Sequence, residues 1–164
     1  MALILLSSSP AQAALLDETP TQYCWTNIDS AEVRCVDGGY DEMVDDITDV
    51  TGTPVIAEPT SDETVTPASR GVLATYLLAI VYDSTNLGGS AMSYVTMNSA
   101  ICSATYAYAS LGSWNDRIES FEAYNGCSVV LYQDANYGGA HYGFYTLSTD
   151  VGTMKNQASS MAID

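Results

Sequence analysis

Basic residues are scarce in this chain. Its 164 residues include four Lys and Arg against 20 Asp and Glu, so the formal net charge at pH 7 is −16. Such a charge repels nucleic-acid phosphates and anionic membrane surfaces. No apolar run reaches the roughly 18 residues that a membrane-spanning helix needs. We therefore predict neither nucleic-acid binding nor membrane insertion, and the charge suits basic partners, divalent cations or plain solubility.

Catalytic and metal-binding motifs are also missing. His141 is the single His, and it lies in a predicted strand beside Tyr142, where a surface or packing role is favoured over catalysis. The sequence has no H-E-x-x-H motif, phosphate loop or dinucleotide fingerprint. The absence of a C-x2-C pair argues against a zinc site. We predict a protein that is not an enzyme and has no catalytic residues.

The first residues are typical of the end of an export signal. A short apolar run at residues 2–6 precedes Ala11-Gln12-Ala13, which has the small-x-small form of a signal-peptidase site. The run lacks the basic residues that normally come before it, so we expect the true start to lie upstream of Met1. The alternative is an ordinary apolar N-terminal strand. The export signal predicts a secreted, extracellular protein.

Four cysteines, an even number, fit an oxidising compartment. They are Cys24, Cys35, Cys102 and Cys127. Three pairings are possible, and the sequential one, Cys24 with Cys35 and Cys102 with Cys127, keeps one bridge in each module. We predict this sequential pairing.

The charge is uneven along the chain. Residues 14–70 contain 13 acids and two bases, whereas residues 71–164 contain seven acids and two bases. This shift predicts three parts: a signal-peptide remnant at 1–13, an acidic N-terminal segment and linker at 14–70, and a β-rich domain at 71–164.

Within the acidic segment, the pattern predicts a hairpin at 20–37 and an amphipathic helix at 40–51. Met43, Ile47 and Val50 share one face of that helix, and Gly52 is placed to end it. Residues 53–70 have the composition of a linker or an irregular covering segment, with one short strand candidate at Val55 and Ile56.

The β-rich part repeats internally. One Tyr, one Asn and two Gly recur at a spacing of 50 residues, namely Tyr82, Asn86, Gly88 and Gly89 against Tyr132, Asn136, Gly138 and Gly139. Each copy then ends in a second matching segment, at 114–121 and at 154–161. This order predicts a strand, a tight Gly-Gly turn, a second strand, a connection and a final strand. Two such units can pair into a sandwich.

The repeat resembles the βγ-crystallin superfamily, especially its secreted actinobacterial members grouped with a microbial metalloproteinase-inhibitor family. The family pattern places an aromatic residue ahead of a Gly in the first hairpin, as Tyr82 and Tyr132 are placed here. The Ser that normally follows is replaced by Ala91 and His141. The resemblance covers roughly residues 75–164, and it implies an all-β, double Greek-key sandwich.

The family also closes each motif with a calcium-binding stretch. The resemblance implies that each ion lies between the two motifs and is bound by backbone carbonyls and by a fifth-position hydroxyl. In this sequence the first stretch supplies Asn115, Asp116, Arg117 and Glu119, and the second supplies Asn156, Gln157 and Ser159. Glu119 replaces the usual Ser or Thr, and Lys155 stands at the first position of the second stretch. The resemblance therefore implies weak, degenerate calcium sites, with Ser159 the best donor. The alternative is that both stretches only form turns.

Three functions remain open. The first is a secreted, non-catalytic binding module with calcium as its possible ligand. The second, which the resemblance also implies, is a proteinase inhibitor, for which the stretch from Asn98 to Trp114 around Cys102 is the candidate loop. The third is an antimicrobial or cell-wall-directed toxin. The partner is accordingly a secreted protease or a cell-surface component. The many Tyr residues either form a binding face or cover the core.

Overall fold

The computed structural model describes residues 21–58, 73–98 and 101–164. The predicted signal-peptide remnant at 1–13 and the 59–70 part of the predicted linker lie outside these ranges. None of the helices in the described ranges has the length and apolar character needed to cross a membrane.

The described residues form eleven β-strands, one α-helix and three short 3-10 helices. The strands are β1 (Gln22–Asn27), β2 (Glu32–Asp37), β3 (Val55–Ile56), β4 (Thr75–Ser84), β5 (Gly88–Thr96), β6 (Tyr106–Tyr108), β7 (Ser120–Ala123), β8 (Val129–Tyr132), β9 (His141–Tyr145), β10 (Leu147–Ser148) and β11 (Ser160–Ile163). The α-helix, α1, is Tyr40–Thr51, and the 3-10 helices are Gly112–Trp114, Ala135–Tyr137 and Gly152–Met154.

The two repeats form two Greek keys that exchange one strand. The first motif is β4-β5-β6-β7 and the second is β8-β9-β10-β11. One sheet has the order β10-β7-β4-β5-β1-β2, with β3 beside β4, and the other has the order β6-β11-β8-β9. Each motif thus places its third strand, β6 or β10, in the sheet of the other motif. The predicted all-β, double Greek-key sandwich is confirmed.

The Gly-Gly turns fold as the sequence predicts. Gly89 and Gly139 have φ values of 76° and 74°. A Cβ atom at Gly89 would collide with the Asp83 carboxylate, and one at Gly139 would lie 2.8 Å from Asp134 Oδ2. The second Gly of each pair is therefore required both for its backbone conformation and for its lack of a side chain.

The main core lies between the two sheets. Leu78 and Val81 from β4 meet Phe121 from β7, and Leu131 and Met161 complete the cluster from the opposite sheet. All five side chains are fully buried. This interior is built almost entirely from the repeated part of the chain, so the repeat supplies its own hydrophobic core.

A second apolar cluster covers the outer face of β4. Leu77 and Ile80 point away from the main core and pack with Trp25, Met43 and Ile47 of the N-terminal segment. Strand β4 is consequently buried on both faces from Thr75 to Tyr82. Burial on both faces explains why the sequence of β4 is a continuous apolar run instead of an alternating one.

The acidic segment forms the predicted hairpin and helix, and β3 lies at the predicted Val55–Ile56. Gly52 ends α1 in the left-handed conformation with φ 67°. Val50 differs from the prediction, because it lies in the last turn of α1 and is 41% exposed instead of sharing the buried face. The sequence did not predict that β1 pairs in parallel with β5. The module boundary near residue 70 stays a prediction.

Both sequential disulfides are present. Cys24 and Cys35 bridge directly opposite positions of β1 and β2. Cys102 and Cys127 connect the segment before β6 with the residues before β8. The predicted pairing is therefore confirmed.

Candidate functional site

The two closing stretches begin with the same backbone geometry. Each follows a short 3-10 helix, and Asp116 and Asn156 at their second positions have φ values of 57° and 54°. Asp116 N donates to the Ala158 carbonyl over 2.9 Å, and Asn156 N donates to the Ile118 carbonyl over 3.2 Å. The two stretches therefore hold each other through a reciprocal pair of backbone hydrogen bonds.

The last Ser of each stretch fixes a folded hairpin. Ser120 Oγ donates to the Ser84 carbonyl and accepts a bond from Leu87 N. Ser160 Oγ makes the equivalent pair of bonds with the Asp134 carbonyl and Tyr137 N. The role of these two hydroxyls is thus structural: each ties the turn of its own motif to its closing strand.

The structure brings the predicted calcium residues together across the two motifs. Glu119 is the fifth residue of the first stretch, and its Oε1 accepts a 2.8 Å bond from Nδ2 of Asn156, the second residue of the other stretch. On the other side of the pair, Asp116 bonds through its backbone to Ala158, the neighbour of Ser159. Asn115 Nδ2 donates to Asp116 Oδ2 over 2.6 Å. Each candidate site therefore combines residues of both stretches, which is the arrangement that the resemblance implies for an ion between the two motifs.

The two basic side chains near these stretches are both paired. Arg117 Nη2 lies 2.7 Å from Asp83 Oδ2, and its guanidinium stacks 4.6 Å from the centre of the Trp114 ring. Lys155 Nζ lies 3.0 Å from Asp150 Oδ2. The pKa of the Asp150 carboxyl is lowered by a bond from Gly152 N and further by Lys155. These pairings partly neutralise the cationic charge that the sequence places beside each candidate calcium site.

Gln157 is held in the position that Arg117 takes in the first motif. Its Oε1 accepts a 3.2 Å bond from Gln133 Nε2, and its Nε2 donates to the Thr153 carbonyl over 2.9 Å. Gln133 and Asp83 are therefore repeat-related partners that the sequence analysis missed. The 50-residue spacing of the repeat aligns the two positions and is the signal that could have found them.

The donor set fits calcium only in part. In the described ranges, no three side chains of His, Cys, Asp or Glu lie together as a metal site would require. The donors available are isolated carboxylates together with amide, hydroxyl and backbone oxygens. Calcium accepts such oxygen ligands but needs six to eight of them.

A disulfide-anchored turn lies at one edge of the second sheet. Ser103, Ala104 and Thr105 are exposed between Cys102 and β6. Thr105 Oγ1 donates to Asp164 Oδ1 over 2.6 Å. The turn belongs to the stretch from Asn98 to Trp114, which is the predicted inhibitory loop.

Most of the Tyr side chains serve the core. Tyr94 and Tyr124 are buried, and burial raises the pKa of both phenols above the ordinary value. Tyr106, Tyr108 and Tyr142 pack against the main cluster from its border. Tyr137 and Tyr145 are exposed, as is His141, whose ring lies 6.2 Å from that of Tyr132.

Part of the double Greek-key domain matches a known protein family. Residues 81–144 match the model of peptidase inhibitor family I36. The resemblance to this inhibitor family is confirmed. The match begins within β4, ends within β9, and includes both Gly-Gly hairpins and the Cys102–Cys127 bridge.

Solved βγ-crystallin domains are similar to about half of the chain. The domain from Clostridium beijerinckii is 20% identical, with 52% of this chain and 95% of that chain covered and a TM-score of 0.42. The N-terminal domain of protein S is 19% identical, with 53% and 94% covered and a TM-score of 0.43. The domain from Flavobacterium johnsoniae is 26% identical, with 53% and 93% covered and a TM-score of 0.41. No curated protein matches the chain.

Proposed function

We propose that this protein is a secreted, non-catalytic module that binds and inhibits a peptidase. The observation that supports this best is the match of residues 81–144 to peptidase inhibitor family I36. Two disulfides in a chain of this size fit an extracellular protein.

The turn at residues 101–105 is the proposed contact with the peptidase. Its start is covalently fixed by the Cys102–Cys127 bridge, and its end is fixed by the Thr105–Asp164 hydrogen bond. Strand β6 then follows and pairs with β11. A segment held at three points loses little conformational entropy on binding, which is what a tight inhibitory contact needs.

Enzyme inhibition tests this proposal. The full-length, oxidised protein is titrated against secreted zinc metallopeptidases, serine peptidases and cysteine peptidases with fluorogenic peptide substrates. We expect stoichiometric inhibition of metallopeptidases, with the inhibitor recovered intact. Full activity of all three classes at a large molar excess of this protein would contradict the proposal. A growth-inhibition assay on the same preparation tests the antimicrobial alternative.

Calcium binding is a second candidate property of the same domain. The contact between Glu119 and Asn156 favours it, because it places oxygen-bearing side chains of both stretches side by side. We propose that any calcium bound here is held weakly, with a dissociation constant of roughly 10⁻⁴–10⁻³ M. Ser159, next to the Ala158 carbonyl that faces Asp116, is the preferred donor.

A further inference from the structure

Three large apolar side chains are exposed within four residues of the second motif. Phe144 is 59% exposed, Tyr145 is 49% exposed and Leu147 is 51% exposed. They lie at the end of β9 and the start of β10, which the proposed inhibitory turn does not include. Scattered apolar side chains are normal on protein surfaces, but three large ones within four residues are a concentration of the kind found at interaction sites.

The backbone beside these side chains is also open on one side. Strand β9 ends the order of the four-stranded sheet, and among the described strands it pairs only with β8. An open strand edge presents unpaired N–H and C=O groups, which another extended chain can bind.

In the first motif, the strand edge that corresponds to β9 is paired with another strand of this chain. Strand β9 lies 50 residues after positions 91–95 of β5, and those five positions carry the parallel strand β1. Tyr94 and Val95 are buried in the apolar clusters on the two faces of the first sheet, whereas the equivalent Phe144 and Tyr145 are largely exposed. Among the described strands, this edge is therefore paired with β1 in the first motif and is unpaired in the second.

A β-bulge directs Phe144 outward. The register moves from Val130 opposite Gly143 to Val129 opposite Tyr145, so Phe144 is the extra residue, and its φ is 57°. Bulges of this kind re-aim a side chain while the flanking residues stay paired. Phe144 is thus a fixed aromatic anchor beside the regular edge at 141–143.

The charge of the residues around β9 indicates what kind of segment would bind at its edge. Residues 121–150 contain three acids, Glu122, Asp134 and Asp150, and no Lys or Arg. Asp150 is paired with Lys155, so within the described ranges Glu122 and Asp134 are the two of these acids that have no ion pair. Leu147 is the register partner of Glu122. Acidic side chains near this edge attract a basic strand. They also disfavour pairing with a second copy of this chain, which carries the same charge.

We infer that the open edge of β9, with Phe144, Tyr145 and Leu147, binds an extended segment of a partner protein in which apolar and basic side chains alternate. The backbone of that segment pairs with 141–143, its apolar side chains contact Phe144, and its Lys or Arg side chains face the surrounding acids. This contact is separate from the inhibitory turn, because β6 and β9 form opposite edges of their sheet.

The test uses a synthetic six-residue peptide of alternating Val and Lys. Binding is measured by calorimetry, and amide hydrogen exchange is followed at residues 141–143. Phe144→Asn removes the ring but keeps a residue that tolerates the bulge conformation. Val33→Asn is the matched control, because Val33 is also 59% exposed and lies on β2, an edge strand of the other sheet.

We expect the peptide to slow exchange at 141–143 and Phe144→Asn to weaken binding at least about tenfold. Val33→Asn should leave the affinity within about twofold, and a control peptide with a central Pro should not bind. Equal affinity for the Pro peptide, or equal loss in both variants, would overturn the inference. So would no peptide binding at all, or a dimer of the wild-type protein that Phe144→Asn dissociates.

Discussion

Asp46 connects helix α1 to the β1–β2 hairpin. Its Oδ2 accepts a 2.8 Å bond from Trp25 Nε1, and Arg34 donates to both carboxylate oxygens. Trp25 is fully buried, so its N–H has this carboxylate as its hydrogen-bond partner inside the molecule. The bonds from Arg34, and to a smaller extent the one from Trp25, lower the pKa of Asp46 below its ordinary value of 3.8.

The lowered pKa predicts an acid-sensitive contribution to stability. A carboxyl whose pKa is depressed on folding stabilises the protein above its unfolded pKa, and this contribution is lost as the pH falls through the folded value. Asp46→Ala should cost about 1–3 kcal/mol at pH 7, because it leaves a buried indole N–H unpaired. It should also flatten the fall in stability below about pH 4. Urea unfolding at several pH values measures both effects, and an unchanged acid slope would show that other carboxyls control it.

Ser159 and Glu119 both occupy the fifth position of their closing stretch, but we expect them to contribute differently to calcium binding. The Ser159 hydroxyl is short and neutral, whereas the Glu119 carboxylate is longer and is engaged by Asn156. We expect Ser159→Ala to abolish most calcium heat in calorimetry and Glu119→Ala to have the smaller effect, with wild-type binding in the range of roughly 10⁻⁴–10⁻³ M. The reverse order of the two variants would contradict this ranking. No heat and no thermal shift in millimolar calcium would show that both stretches are turns only.

At the level of elements, the Cys102–Cys127 bridge ties the first motif to the second. It closes a loop of sequence separation 25, whereas Cys24–Cys35 closes one of 11. The double variant Cys102→Ser, Cys127→Ser should lower the free energy of unfolding by about 2–5 kcal/mol, somewhat more than the matched variant of the hairpin cysteines, because the longer loop restricts the unfolded chain more. Denaturant titration of both variants checks this order. A larger loss from the hairpin pair would mean that native packing around β1 matters more than loop length.

The elements of the repeat were readable because their signals are local. Tyr82 and the Gly-Gly turn recur in order, and backbone sterics restrict what can follow such a turn. The parallel pairing of β1 with β5 was not readable, because the register between distant segments leaves no local pattern. One signal was present: the unbroken apolar run of β4 indicates a strand covered on both faces.

In the candidate site, too, local features were predictable from the sequence and contacts between distant segments were not. Every predicted calcium residue lies in one of the two closing stretches, and calcium binding by these stretches stays a prediction. The contact between Glu119 and Asn156 depends on how the two motifs meet in space, which neither stretch encodes alone. Phe144 was missed for a similar reason, since its exposure follows from a bulge relative to β8.

At the scale of the whole molecule, the N-terminal segment pairs β1 with β5 and packs on the outer face of β4. The main core comes almost entirely from the repeated part, while the outer face of β4 depends on Trp25, Met43 and Ile47. The fragment 71–164 is therefore expected to fold with β-type circular dichroism but to bind a hydrophobic dye and to unfold at a lower temperature than the full chain. An unfolded fragment would show that the acidic segment completes the fold.

The central proposal is that the double Greek-key domain inhibits a peptidase through its rigid turn at 101–105. The most direct measurement is the Ki of the full-length protein, of Ala104→Lys and of Ala140→Lys, against a metallopeptidase that the wild-type protein inhibits. Ala104 lies in the proposed contact, and Ala140 is also exposed but lies just before β9, at the opposite edge of the same sheet. We predict a Ki raised at least about tenfold for Ala104→Lys and unchanged for Ala140→Lys. Equal Ki values for all three proteins would contradict the claim.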